Sequence, residues 1–246
     1  LACIGVTLLS SLGPVLLSYR ADVNEALRES GRTGAHGRRS HRAQRALVIV
    51  QVALASLSLV SAGLFLRSFE NARRIPPGFD PGNVLLARFY VSGAQYTPAQ
   101  MHQFFQRLQE RMAAQPGVLS VSYGDYAPLG SDAGPYNTVQ VEGYEPSPGD
   151  RMMISGNLIA PGYLDTLRIP LVEGREFTRQ DSPDRPRVVI VSQAFARKYY
   201  GGASPLGRRV RLRGNWATIV GMARDSKHFH LSEPDRPYFY SPFAYT

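Results

Sequence analysis

From Ala46 to Leu66 the chain runs for 21 residues, ALVIVQVALASLSLVSAGLFL, without a charged side chain. A helix of that length is roughly 31 Å long at about 1.5 Å per residue, which matches the hydrocarbon core of a bilayer. The run holds no proline, and its one glycine, Gly63, lies near its end. Arg45 and Arg67 close it, where their guanidinium groups can reach headgroups while the stems stay in hydrocarbon. Buried helices of soluble proteins rarely stay uncharged for so long, so the length predicts a transmembrane helix. Gln51, Ala55, Ser58 and Ala62 recur at helical spacing along one side of it. Small and weakly polar residues let helices approach closely in lipid, so this stripe is the expected helix-packing face.

Residues 1–19 form a second uncharged run, bent by Gly13-Pro14 and holding the only cysteine, Cys3. It reads as a truncated transmembrane helix of a longer protein. The net charge of +9 is concentrated beside these runs. Residues 20–45 carry seven arginines against three acids, residues 67–75 three arginines against one. Positively charged loops stay in the cytoplasm, so 20–45 is expected inside and 76–246 outside. Within 20–45, Asp22 with Glu25 suggests a capped helix ending at Gly31. Residues 31–45, GRTGAHGRRSHRAQR, read as a flexible linker facing anionic headgroups. Residues 76–246 are only mildly basic, with eighteen basic against fifteen acidic side chains, which argues against a nucleic-acid groove. They hold no cysteine and so no thiol chemistry.

That segment alternates strand and helix signals. A Pro/Gly break, IPPGFDPGNV, precedes an expected strand at 84–91. Thr97 can cap a helix reaching about Gln115, with Met101, Phe104, Phe105, Leu108 and Met112 on one face, and 117–126 reads as the next strand. Residues 127–186 look β-rich, with strand-like pieces at 137–144 and 152–159 and a short helix beginning near Pro161. Tyr163, Leu164 and Leu167 are expected to pack that helix. A second unit follows: strand 187–192, a helix 193–200 capped by Ser192, and a hairpin turning at Gly214-Asn215, with Leu206 and Gly207 setting the turn before it. Trp216, Ile219 and Val220 are expected in the core. The fold class is therefore transmembrane α-helices plus an α+β extracytoplasmic domain, built from two βαβ-type halves with a β-rich insertion.

Six segments occur in an order that carries a resemblance: LGPVLLSYRADVNEALRESGR, RALVIVQVALASLSLVSAGLFLRSF, PGFDPGNVL, PGYLDTLRIPLVEGREF, VIVSQAFARKYYGGASPLGRRVRL and IVGMARDSKHFHLSEPDRPYFYSPF. Together they resemble the permease subunits of MacB/FtsX-type ABC transporters, especially the duplicated bacterial form. The resemblance implies that 1–19 ends a first repeat, 20–45 is a cytoplasmic connector, 46–66 opens the second repeat and 76–246 is a MacB-like periplasmic core domain. It implies a bacterial inner-membrane location. It also implies partners: a separate cytoplasmic ABC ATPase, further permease helices, membrane lipid, and a periplasmic adaptor or substrate.

Chemistry of the chain's own is not expected. Asp225, His228 and His230 in DSKHFH are close in sequence, but two histidines without further ligands make a poor metal site. They read as polar residues of an exposed loop. Ser192 lacks the Gly-x-Ser-x-Gly elbow. Glu173 and Glu176 in EGREF read as parts of a charge-paired turn, and YYGGASPLGRR lacks the phosphate-loop pattern. The expectation is a non-catalytic subunit with no cofactor and no metal. The alternative is a membrane-anchored extracytoplasmic binding or sensor module; a tethered hydrolase would need a nucleophile–base set that is not evident.

Overall fold

The computed structural model describes residues 36–89, 96–130 and 134–245. The expected span 1–19, Cys3, the Asp22–Glu25 cap and the helix end at Gly31 lie outside them. The chain divides at Arg73–Arg74 into two units.

In the first unit, α1 runs from His36 to Arg74, 39 residues. It therefore extends past the apolar run at both ends, and residues 36–45, expected to be flexible, are helical. Arg, Ala and Gln are good helix formers, and extending a nucleated helix costs little. The stop is set by Pro76-Pro77, which pushes Ile75 out of the helical region.

The second unit begins with a helix and continues into a sheet. Helix α2 (Pro98–Ala113) opens with a capping box. Gln100 N–H donates to Thr97 Oγ1 at 3.3 Å, and Thr97 N–H donates to Gln100 Oε1 at 2.9 Å. Pro98 fits the first turn, where its missing N–H would have had no helical acceptor.

Seven strands follow: β1 (Tyr136–Val141), β2 (Met153–Ile159), β3 (Leu171–Gly174), β4 (Val188–Ser192), β5 (Arg209–Leu212), β6 (Asn215–Ala223) and β7 (Tyr238–Pro242). Their order is β3-β6-β4-β7-β2-β1-β5, and β5 pairs back onto β6. Six strands thus close a hydrogen-bonded ring, and β3 pairs with the C-terminal part of β6, beyond the residues that pair with β5. Pairs β2–β7 and β4–β6 are parallel. Short helices α3 (Tyr163–Thr166) and α4 (Gln193–Tyr200) follow β2 and β4.

Alternate residues of every ring strand meet in one core: Val139 and Val141, Ile154, Val189 and Val191, Val210 and Leu212, Ala217 and Ile219, and Phe239, joined by Phe195 and Tyr199 of α4. A second core lies on the opposite face of β4 and β7, where Val188, Ile190, Tyr238 and Tyr240 meet Ile159, Tyr163, Leu164 and Phe177. Strand β4 is therefore buried on both faces, which is why it reads as the continuous apolar run VVIVS. Strand β5 has one buried face and alternates.

The two-halves expectation needs correcting. The second unit forms as read: β4, α4, the β5–β6 hairpin, and β6 returning parallel to β4. The first does not. Residues 84–89 carry no ladder, and Leu85 is 91% exposed. The stretch 117–126 contributes a single bridge, Gly124 to Ile159. A strand exists only by pairing, which local propensity cannot supply. The β-rich stretch is not an insertion either, since β1 and β2 are members of the ring.

The hairpin turn also sits one residue earlier than expected. Leu212 pairs with Asn215, so the two turn residues are Arg213 and Gly214, both at positive φ (49° and 82°). That is the type I′ pattern, in which glycine takes the second place. Trp216 is 40% exposed rather than in the core; the Arg209 guanidinium lies 5.4 Å from its ring centre. Ile219 is buried, as expected, with Val220 partly so.

Candidate functional site

Along α1 the large apolar side chains point outward in every direction: Val48, Ile49, Val52, Leu54, Leu57, Leu59, Leu64 and Phe65 are all exposed. The stretch Arg45–Arg74 is long and apolar enough to cross a membrane, and none of it is buried. A helix apolar all round needs an apolar solvent or a partner on every side. Gln51, Ala55, Ser58 and Ala62 are exposed on this helix too.

The DSKHFH stretch is not the exposed loop that the sequence suggests. Asp225 reaches α4: Ala194 N–H donates to its Oδ1 at 2.7 Å, and Arg197 pairs with its Oδ2. His228 is buried, with its ring stacked on Tyr238 at 3.5 Å between centres. Its Nε2 lies 3.2 Å from Ser226 Oγ and 3.5 Å from Tyr240 Oη. Burial pushes its pKa down to about 3, so the ring is neutral. Among the described residues no group of three or more His, Cys, Asp and Glu is placed to hold a metal ion.

The other sequence candidates resolve into structural roles. Ser192 Oγ accepts Phe195 N–H at 3.2 Å, capping α4, and Tyr238 N–H at 3.1 Å, tying β7 to β4. Glu176 Oε1 accepts Leu164 N–H at 3.1 Å, with burial raising its pKa, while Glu173 Oε2 accepts the Ser204 hydroxyl at 2.6 Å. The ion pair of this turn is Arg175 with Asp181, two parallel bonds of 2.8 and 2.9 Å that hold the carboxyl pKa below its usual range. Gly201, at φ 61°, ends α4 in the left-handed conformation, which explains the first glycine of YYGGASPLGRR without a phosphate. Tyr163 and Leu164 are buried in α3, with Leu167 partly buried beside them.

Two features went unread in the sequence. Asn157, 4% exposed, accepts Tyr126 N–H at 3.0 Å and donates to Tyr126 O at 2.7 Å, a two-bond clamp that fastens 123–126 along β2. Its polar place in an otherwise buried strand was the available signal. A cleft of about 390 Å³ lies beside α2. Its apolar floor is Tyr123, Phe177 and Phe243, and its polar side includes His102, Gln106 and Arg179. Phe105 anchors α2 there, stacked on Tyr123 at 5.1 Å and edge-on to Phe243 at 5.5 Å.

Residues 46–246 match the family described as the MacB-like periplasmic core domain. Among solved structures, the chain is similar to the periplasmic region of MacB from Actinobacillus actinomycetemcomitans, at 18% identity and a TM-score of 0.36 over 55% of this chain. It is also similar to the extracellular domain of the noncanonic ABC-type transporter YknZ from Gram-positive bacteria, at 23% identity and a TM-score of 0.40 over 57% of this chain. The matches span 53% and 63% of those two chains. No curated protein matches the chain.

Proposed function

The chain belongs to the MacB-like periplasmic core domain family through residues 46–246, and from that premise we propose that it is part of an ABC transporter permease subunit. Helix α1 crosses the inner membrane, and residues 76–246 lie on its outer side. A separate cytoplasmic ATPase supplies the energy, and its closure moves the membrane helices and, with them, the extracytoplasmic domain, for efflux or for mechanical transmission. The residues of this chain do no bond chemistry; they transmit displacement. The face Gln51, Ala55, Ser58 and Ala62 packs against other permease helices.

The observation that carries this reading is the stretch Arg45–Arg74 of α1: long and apolar enough to cross a membrane, with none of it buried, and in one chain with a domain of this family. The short connection through Ile75, Pro76 and Pro77 suits a mechanical role, because two prolines restrict the backbone.

Two measurements test it. With Cys3 replaced by alanine, a cysteine in place of the exposed Ser147 should react with a membrane-impermeant maleimide on intact spheroplasts. Labelling only after lysis would place the domain in the cytosol and end the proposal. The complete protein should also co-purify with the ATPase encoded beside it and change its turnover. Labelling on intact spheroplasts together with no association and no change in turnover would leave an anchored extracytoplasmic binding or sensor module as the better reading.

A further inference from the structure

Beside His228 the second unit holds a small cavity of about 160 Å³ whose chemistry none of the roles above uses. Glu233 lines it and is only 6% exposed. One carboxylate oxygen, Oε1, accepts His228 N–H at 2.6 Å and Phe229 N–H at 3.3 Å. The other, Oε2, is buried and has no hydrogen-bond partner among the described residues. A buried carboxylate oxygen left bare is costly, and its natural complement is a charged N–H donor.

Two nearby lysines are engaged elsewhere. Lys227 Nζ donates to Glu233 O and to Asp235, both at 2.7 Å. Lys198 Nζ donates to Asp150 at 3.0 Å and lies 5.0 Å from the Tyr199 ring centre. Aromatic rings line the cavity: Tyr136 and Phe229, stacked at 6.1 Å, and Tyr238. Aromatic faces attract a cation, and a carboxylate oxygen orients one that carries N–H bonds. The volume is below that of sites for drug-sized ligands, so it suits a single small head group.

We propose that this cavity binds a primary alkylammonium group, held by a charge-assisted hydrogen bond to Glu233 Oε2 between the aromatic walls of Tyr136, Phe229 and Tyr238. A free small amine and the end of a lysine side chain present the same group. Arg236 also lines the cavity and is the cation that could compete for Glu233.

The test is calorimetric titration of the full chain in detergent with methylammonium, ethylammonium, Nα-acetyl-lysinamide and tetramethylammonium. Saturable binding of the primary amines is expected, with tetramethylammonium, which lacks an N–H donor, clearly weaker. Glu233→Gln keeps the acceptor for His228 and Phe229 and should weaken methylammonium roughly tenfold or more. Should that variant not fold, Tyr136→Ala at the exposed wall should lower affinity several-fold. Arg236→Gln should bind as well as the parent chain or better. Tighter binding of the lysinamide than of ethylammonium identifies a peptide source, and the reverse a free amine. No saturable binding by the parent chain would mean a water-filled cavity only and would overturn the proposal. So would equal affinity for tetramethylammonium, an unchanged affinity in Glu233→Gln, or a loss in Arg236→Gln matching that in Glu233→Gln.

Discussion

Gly156→Ala adds one methyl group to the middle of β2, and the structure says what that methyl meets. Gly156 pairs with Phe239 of β7, and the Phe239 ring lies over the glycine. A Cβ at position 156 would sit 2.4 Å from Phe239 Cε1 and Cζ and 2.5 Å from Cδ1. Carbon atoms rest at about 3.5–4.0 Å, so the ring must retreat by on the order of 1 Å. It has little room to do so: Phe239 is 2% exposed and belongs to the ring core with Val139, Val191 and Val210. Overpacking of this kind costs about 1–3 kcal/mol. The reduced freedom of the unfolded chain returns about 0.4–1 kcal/mol. The net loss is about 1–2 kcal/mol, a factor of about 5–30 in the ratio of folded to unfolded chain. Urea denaturation of the full chain in micelles, followed by the fluorescence of its single tryptophan, Trp216 in β6, reads this directly. Phe239→Leu relieves the clash, so the double variant should be about 1 kcal/mol more stable than the two single losses add up to. A Gly156→Ala midpoint within about 0.5 kcal/mol of the parent, or strict additivity in the cycle, would refute the steric argument.

Three further outcomes follow from the same sheet. Ser192→Ala should cost about 1–2 kcal/mol in the same denaturation, because it removes the α4 cap and the acceptor for the buried Tyr238 N–H; a loss below about 0.5 kcal/mol would show that water replaces the hydroxyl. Gly214→Ala should cost about 1–2 kcal/mol, because φ 82° suits a residue without Cβ; an unchanged midpoint would mean that the turn relaxes freely. His228 has a folded pKa of about 3 against an ordinary 6.5. The unfolded chain therefore takes up its proton first: this contribution to stability is complete above pH 6.5 and is lost as pH falls from 6.5 towards 3. The loss should reach up to about 1.4 kcal/mol per pH unit, and His228→Phe should flatten it between pH 6.5 and 5. A parent chain whose stability is constant over that interval would refute the buried neutral ring.

Local signals in the sequence reached the elements whose causes are local. Thr97 and Ser192 cap their helices because a hydroxyl three residues before an unpaired N–H needs no distant partner. The hairpin was legible from Gly214, although its register was not, since one residue decides whether a glycine takes the first or second turn position. The resemblance to the MacB-type family was carried by ordered segments, and residues 46–246 match that family. The sites fared worse. His228 reads in the sequence as a polar residue of an exposed loop, and only the tertiary structure shows it buried and stacked on Tyr238. Glu233 stood out not at all, because an oxygen without a partner is a property of its surroundings.

What the sequence determined by itself is the apolar run 46–66 and its helical character, the caps, and the contrast between the continuous run of β4 and the alternation of β5; each follows from bonds and periodicities within a few residues. What the tertiary structure alone decided is which strands pair: that β5 returns to β6 and closes a ring, that β1 and β2 are members of it, and that 84–89 joins no ladder among the described residues. The reason is physical. A helix satisfies its backbone within one segment, whereas a strand leaves half its hydrogen bonds to a neighbour many residues away, and no short stretch of sequence names that neighbour.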